Sequence, residues 1–185
     1  MDLRVQFPDP RSYERLADWA LELNAVLTRM LQQTPENQYP IIGLADVKPA
    51  GTPGGASIAG WNPRMLNTEY DPMGICLLNV DGTFVLPKGR YMVQASVPGY
   101  SVNQHQAYLE DMSNSLIAIS GTSEYAPTGS SQTRSWIMGV IQPKDATKYI
   151  INHFCTIATA GNGLGVAVGA TGQDVYTQVA IWGLQ

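Results

Sequence analysis

Val175-Tyr176-Thr177-Gln178-Val179-Ala180-Ile181-Trp182-Gly183-Leu184 is the stretch that decides the fold. Read at period two, Val175, Thr177, Val179 and Ile181 share one face, and Tyr176, Gln178, Ala180, Trp182 and Leu184 share the other. Both faces are largely apolar. A strand of this kind needs a core on one side and a second covering body on the other. The expectation is a closed β-sandwich with this strand at its centre and at a subunit interface, where Tyr176 and Trp182 would pack.

Working backwards, the chain reads as all-β from Ser57 onward. Candidate strands are Ser57 to Trp61, Gly74 to Asn79, Gly82 to Leu86, Arg90 to Val97, His105 to Glu110, Ser115 to Ser120, Arg134 to Gln142, Lys148 to Ile157, and Gly163 to Val168. Turn signals such as Asp71-Pro72, Asp81-Gly82, Pro87-Lys88-Gly89, Pro98-Gly99 and Pro143-Lys144-Asp145 separate them. Many short strands at this spacing predict a mainly β chain built as an antiparallel sandwich or jelly roll. Arg90 to Val97 alternates most cleanly, with Tyr91, Val93, Ala95 and Val97 facing the core. The Gly/Ser/Thr-rich stretch Gly121 to Gln132 lacks core periodicity and reads as a long loop.

Upstream of the sandwich lies the one convincing helical pattern. Pro10 precedes it, Pro35 and Asn37 end it, and Tyr13, Leu16, Ala20, Leu23, Leu27 and Met30 recur at alternating spacings of three and four. That is the seam of a coiled coil. It is shorter than three heptads, so a single amphipathic helix packed on its own domain is the competing reading. The stretch from Thr34 to about Gly60 carries Pro35, Pro40, Pro49 and Pro53 with Gly51, Gly54 and Gly55, and reads as a linker in which Ile41 to Leu44 adds at most a short edge strand. The expected organisation is therefore a helical oligomerisation or attachment segment over 1–33, a linker over 34–56, and a jelly-roll head over 57–185. Leu16, Ala20, Leu23, Leu27 and Met30 would trimerise the first of these.

Charge narrows the functional classes. Only 14% of the 185 residues are charged, against about 25% in a typical soluble domain, so much of the surface is expected to be covered by identical copies. Net charge is −4 and no Lys/Arg cluster occurs, which argues against nucleic acid as a partner. No signal peptide and no apolar run of membrane-spanning length is visible, so assembly in a cytoplasm without membrane insertion is expected. Cys76 and Cys155 sit in apolar strand contexts and read as buried free thiols.

Catalytic chemistry finds little purchase. His105 and His153 lie far apart in sequence and read as structural or surface residues. Ser113 or Ser115 with His105 and Asp111 could be drawn as a triad, but no motif singles out a nucleophile. Glu110 and Asp111 are adjacent in a predicted strand and so point to opposite faces. Asp71, Asp81, Asp111 and Asn114 lie in turns, where turn formation explains them without Ca²⁺. No enzyme activity, metal or cofactor is expected. Loop aromatics are better candidates: Tyr100 after Pro98-Gly99, and Tyr125 with Thr128 and Gln132 in the long loop, suit recognition of a sugar or protein surface.

One stretch carries a resemblance. Phe84-Val85-Leu86-Pro87-Lys88-Gly89-Arg90-Tyr91-Met92-Val93 resembles the signature strand of the trimeric jelly rolls of the tumour-necrosis-factor and complement-globular-head families, and Tyr176 to Leu184 resembles their last strand. A second resemblance spans roughly Trp61 to the end. Trp61-Asn62-Pro63-Arg64-Met65-Leu66-Asn67, the Leu-Pro-x-Gly-x-Tyr turn, Gly163-Leu164-Gly165 and Val175 to Val179 look like the C-terminal domains of phage fibre and head-spike proteins. What this implies is a homotrimeric structural protein of the bacteriophage virion. Its N-terminal segment would dock other virion proteins, and its head would bind a host surface glycan or receptor. The alternatives are a capsid decoration protein without a receptor, a cytokine-like or complement-like ligand domain, and last a glycan depolymerase.

Overall fold

The computed structural model describes residues 41–129 and 131–184, with a short helical piece at 23–25. Leu23 is half-buried there; Leu16, Ala20, Leu27 and Met30 of the expected coiled coil lie outside the described residues. The chain divides into two units, Met1–Gln38 and Tyr39–Gln185.

The second unit is a sandwich of two antiparallel sheets. Its strands are β1 (Ile41–Pro49), β2 (Gly60–Pro63), β3 (Thr68–Tyr70), β4 (Leu77–Leu78), β5 (Phe84–Leu86), β6 (Tyr91–Tyr100), β7 (Asn103–Asp111), β8 (Leu116–Ala126), β9 (Gln132–Ile141), β10 (Thr147–Cys155) and β11 (Gln173–Gly183). One sheet runs β3-β1-β11-β6-β9 and the other β4-β5-β10-β7-β8, with β2 added along β10. Strands adjacent in sequence repeatedly cross from one sheet to the other, as β6 to β7 and β8 to β9 do, and that is the Greek-key path of a jelly roll.

The terminal strand β11 lies at the centre of its sheet, between β1 and β6, as its two apolar faces require. Ile42, Leu44, Val93, Ala95, Val97, Ile137, Val179 and Ile181 from this sheet interlock with Phe84, Leu86, Ala107, Leu109, Tyr149 and Ile151 from the other. Each of the larger aliphatic chains contributes about 1.5–3 kcal/mol by leaving water. Phe84 stacks on Tyr149 with ring centroids 5.7 Å apart. Gly89 is fixed by this packing, because a Cβ there would stand 2.7 Å from the Tyr91 hydroxyl.

Several expected boundaries move. β1 occupies the stretch expected as linker, and it is an interior strand of nine residues, not a short edge. β8 continues through Gly121 to Ala126, so the expected long loop shrinks to the turn that joins β8 to β9. Gly121 permits this close approach: a Cβ would lie 2.7 Å from the Ala107 carbonyl oxygen of β7. Gly163 to Val168, expected as a strand, is a loop.

Candidate association face

The outward face of the β3-β1-β11-β6-β9 sheet is the most unusual surface of the head. Strand register sets its side chains in rows. Ile41, Trp182, Met92 and Val140 form one row across β1, β11, β6 and β9. Tyr70, Gly43, Ala180, Gln94 and Met138 form the next, and Thr68, Ala45, Gln178, Ser96 and Trp136 the third. No position in these rows is charged. Met138 is 62% exposed and Trp136 45%, with Ile41, Tyr70 and Val140 also open to solvent. Alternation puts these side chains opposite the core set, so they contribute nothing to the interior of their own sandwich. The exposed apolar side chains of this face are interspersed with Gln94, Gln178 and Thr68, and a neighbouring charge, Arg134, is turned onto Ser96 Oγ at 2.9 Å.

Trp182 sits on this face. Tyr176 shares its parity. Its ring is buried under the chain's own loops, its hydroxyl donates to the Thr52 carbonyl oxygen, and it lies against Gly165, where a Cβ would collide with the ring. The loop that sequence reading took for a strand is what covers it.

The recognition candidates separate. Tyr100 ends β6 and donates its hydroxyl to the Gly129 carbonyl oxygen at 3.3 Å. Gln132 accepts a hydrogen bond from the Val166 amide at 2.7 Å, which makes it a brace between loops. Thr128 is exposed in the β8–β9 turn. Tyr125, in contrast, is on β8 opposite Gln104 and 54% exposed, on the other sheet.

Sequence reading missed a buried polar spine between the sheets. His105 Nδ1 lies 2.8 Å from His153 Nε2, and His105 Nε2 lies 2.7 Å from Thr133 Oγ1. Burial, with Arg64 and His105 nearby, holds the His153 imidazole neutral and pushes its pKa down to about 2. Burial likewise pushes the Cys155 thiol up to about 11, so it stays protonated at neutral pH. Beside them Arg64 is fully enclosed. Its Nε donates to Thr177 Oγ1 at 2.7 Å, its Nη2 to the Leu164 carbonyl at 2.7 Å, and its Nη1 to the Pro98 carbonyl at 3.4 Å. Asp46 lies 3.9 Å from Nη2, and its Oδ1 is buried without a partner among the described residues. Burial raises the Asp46 pKa against the lowering pull of Arg64. Among the described residues no three His, Cys, Asp or Glu side chains are grouped to hold a metal. The turn carboxylates accept local hydrogen bonds, Asp71 from Met73 and Cys76 and Asp111 from Asn114.

Strand order, two-sheet packing and the central last strand define a jelly roll. Murine APRIL has this fold. Its structure at pH 5.0 matches with a TM-score of 0.54 at 11% identity, over 80% of this chain and 100% of that one. Its structure at pH 8.5 matches with a TM-score of 0.52 at the same identity and coverage. The globular domain of zebrafish complement 1qA protein is also similar, at 15% identity and a TM-score of 0.49, over 78% of this chain and 96% of that one. No family model and no curated protein matches the sequence. At these identities the likeness is one of fold.

Proposed function

We propose that the chain is a non-catalytic structural head that works as a homotrimer. In this reading it is carried on a bacteriophage virion as a head spike or tail fibre, with its other sheet free to meet the host surface. The observation that carries the proposal is the uncharged face of Trp136, Met138, Trp182, Met92 and Val140, which a lone copy leaves in water. Covering such a face is favourable by roughly 25 cal/mol per Å² of apolar area. The number three comes from the resemblance of the Phe84 to Val93 strand and the last strand to trimeric jelly rolls. The virion placement is supported by the fibre-like pattern from Trp61 onward and by the low charge content.

Light scattering at micromolar concentration is the test. The expected mass is about three times the 20.1 kDa of one chain. Met138→Glu would set a carboxylate into each buried face, and it should return the protein to monomers with an unchanged melting temperature at low concentration. A wild-type monomer would sink the reading. The fold likeness to APRIL favours a second reading, a cytokine-like ligand domain; immunogold labelling of virions separates the two.

A further inference from the structure

The opposite sheet carries a surface of different chemistry. On its outer side Trp61 of β2 packs edge-on against Tyr108 of β7 and Phe154 of β10, with ring centroids 4.6 Å and 4.9 Å away. Trp61 is still 48% exposed. Next to Phe154 a shallow groove of about 400 Å³ runs between it and Tyr125, lined by Gln104, Gln106, Ser123 and Glu124. Register places Tyr125 opposite Gln104, and Gln106 between Ser123 and Phe154.

The polar groups in this groove are half-used. Gln104 is exposed, and its Oε1 shares the Thr156 hydroxyl, at 3.1 Å, with the Val102 carbonyl oxygen. Gln106 Nε2 donates to the Gly121 carbonyl at 2.8 Å, leaving its side-chain oxygen open. Glu124, paired with His105, directs its side chain to the opposite face, where its Oε1 accepts from Thr122 Oγ1 at 2.7 Å. Two carboxamides, one of them anchored with its oxygen open, thereby stand beside exposed aromatic rings, on strands rather than on a mobile loop.

We infer that this groove is a binding site for neutral oligosaccharide. A pyranose ring offers an apolar face that stacks on an aromatic ring, and a rim of hydroxyls that both donate and accept, which is what carboxamides pair with. The groove lining holds no Lys or Arg, so a sialylated, sulfated or phosphorylated glycan would find no counter-charge. The inference deepens the host-surface part of the proposal above, naming its ligand class and moving its location from the loops to the sheet.

The test uses the full chain on an array of neutral, sialylated and sulfated oligosaccharides, followed by titration of the strongest neutral binder, read through tryptophan fluorescence because Trp61 abuts the site. Neutral glycans should bind. Tyr125→Ala and Gln104→Ala should each weaken binding by about tenfold or more at an unchanged melting temperature. Lys144→Ala, on the β9–β10 loop, should bind as wild type. Binding that survives both groove substitutions, a preference for anionic glycans, or no neutral glycan bound at all would each overturn the inference. The two proposals fail separately: a monomer that still binds through Tyr125 and Gln104 removes the trimer and leaves this site standing.

Discussion

Arg64 is the residue whose surroundings are hardest to replace. A guanidinium fully removed from water is held by a hydroxyl, two carbonyls and a carboxylate, and even so burial lowers its pKa to about 10, well above neutrality, so it remains a cation. Breaking such a set from one side leaves Asp46 buried with nothing opposite it. Arg64→Met should therefore cost about 3–5 kcal/mol in urea denaturation. Adding Asp46→Leu should restore part of that loss, since the second substitution removes the stranded carboxylate while the Leu164 and Pro98 carbonyls stay unpaired. A double variant no more stable than Arg64→Met would mean that the carboxylate carries no penalty. None of this was legible in Trp61-Asn62-Pro63-Arg64, where an arginine after a proline reads as a solvated loop residue. The histidines hid for a related reason: they are 48 positions apart, and only the pairing of Cys155 with His105 across β10 and β7 brings the rings together.

At the scale of elements, alternation located most of the sandwich. β6 alternates buried and half-buried from Tyr91 to Ala95 and β11 does so from Val179 to Gly183, and the core residues Tyr91, Val93, Ala95 and Val97 followed from the sequence alternation. β1 escaped because Asp46 occupies an inward position, where a carboxylate breaks the apolar pattern, and because the neighbouring prolines and glycines look like linker. The register shift between Ala45 and Val47 at that residue compounds the effect. β8 escaped because an exposed edge strand needs no apolar side chains between Gly121 and Glu124. The head boundary can be tested directly. A chain starting at Tyr39 keeps β1 between β3 and β11 and should fold cooperatively. One starting at Ser57 leaves an edge of β11 unpaired beside an open core, and should aggregate or melt without a transition. Dichroism melts of the two fragments decide it, and a stable fragment from Ser57 would demote β1 to an accessory strand.

For the molecule as a whole, acid is the condition that probes the interior. An unfolded chain takes up a proton on His153 near pH 6.5, whereas the folded chain keeps that ring neutral until about 2, and burial shifts His105 in the same direction. A depressed histidine contributes stability that is complete above its unfolded pKa and is lost as the pH falls below it. His153 alone should cost about 1.4 kcal/mol per pH unit between about 6.5 and 5. Asp46, with its raised pKa, acts in the opposite sense. Urea midpoints between about pH 7.5 and 5 should fall steeply for wild type and less steeply for His153→Gln. Equal slopes would place the acid sensitivity elsewhere. The central position of β11 also bears on how a cell makes the protein. β11 comes later in the chain than every strand it joins, so during translation β1 and β6 emerge with the place between them empty. Until the ribosome delivers Gln173 to Gly183, two unpaired strand edges and a half-built core stand exposed, a state that chaperones bind and that crowding turns to aggregate. In the proposed trimer the same order would keep nascent copies from associating early, because the face would lack its middle strand until synthesis reaches β11.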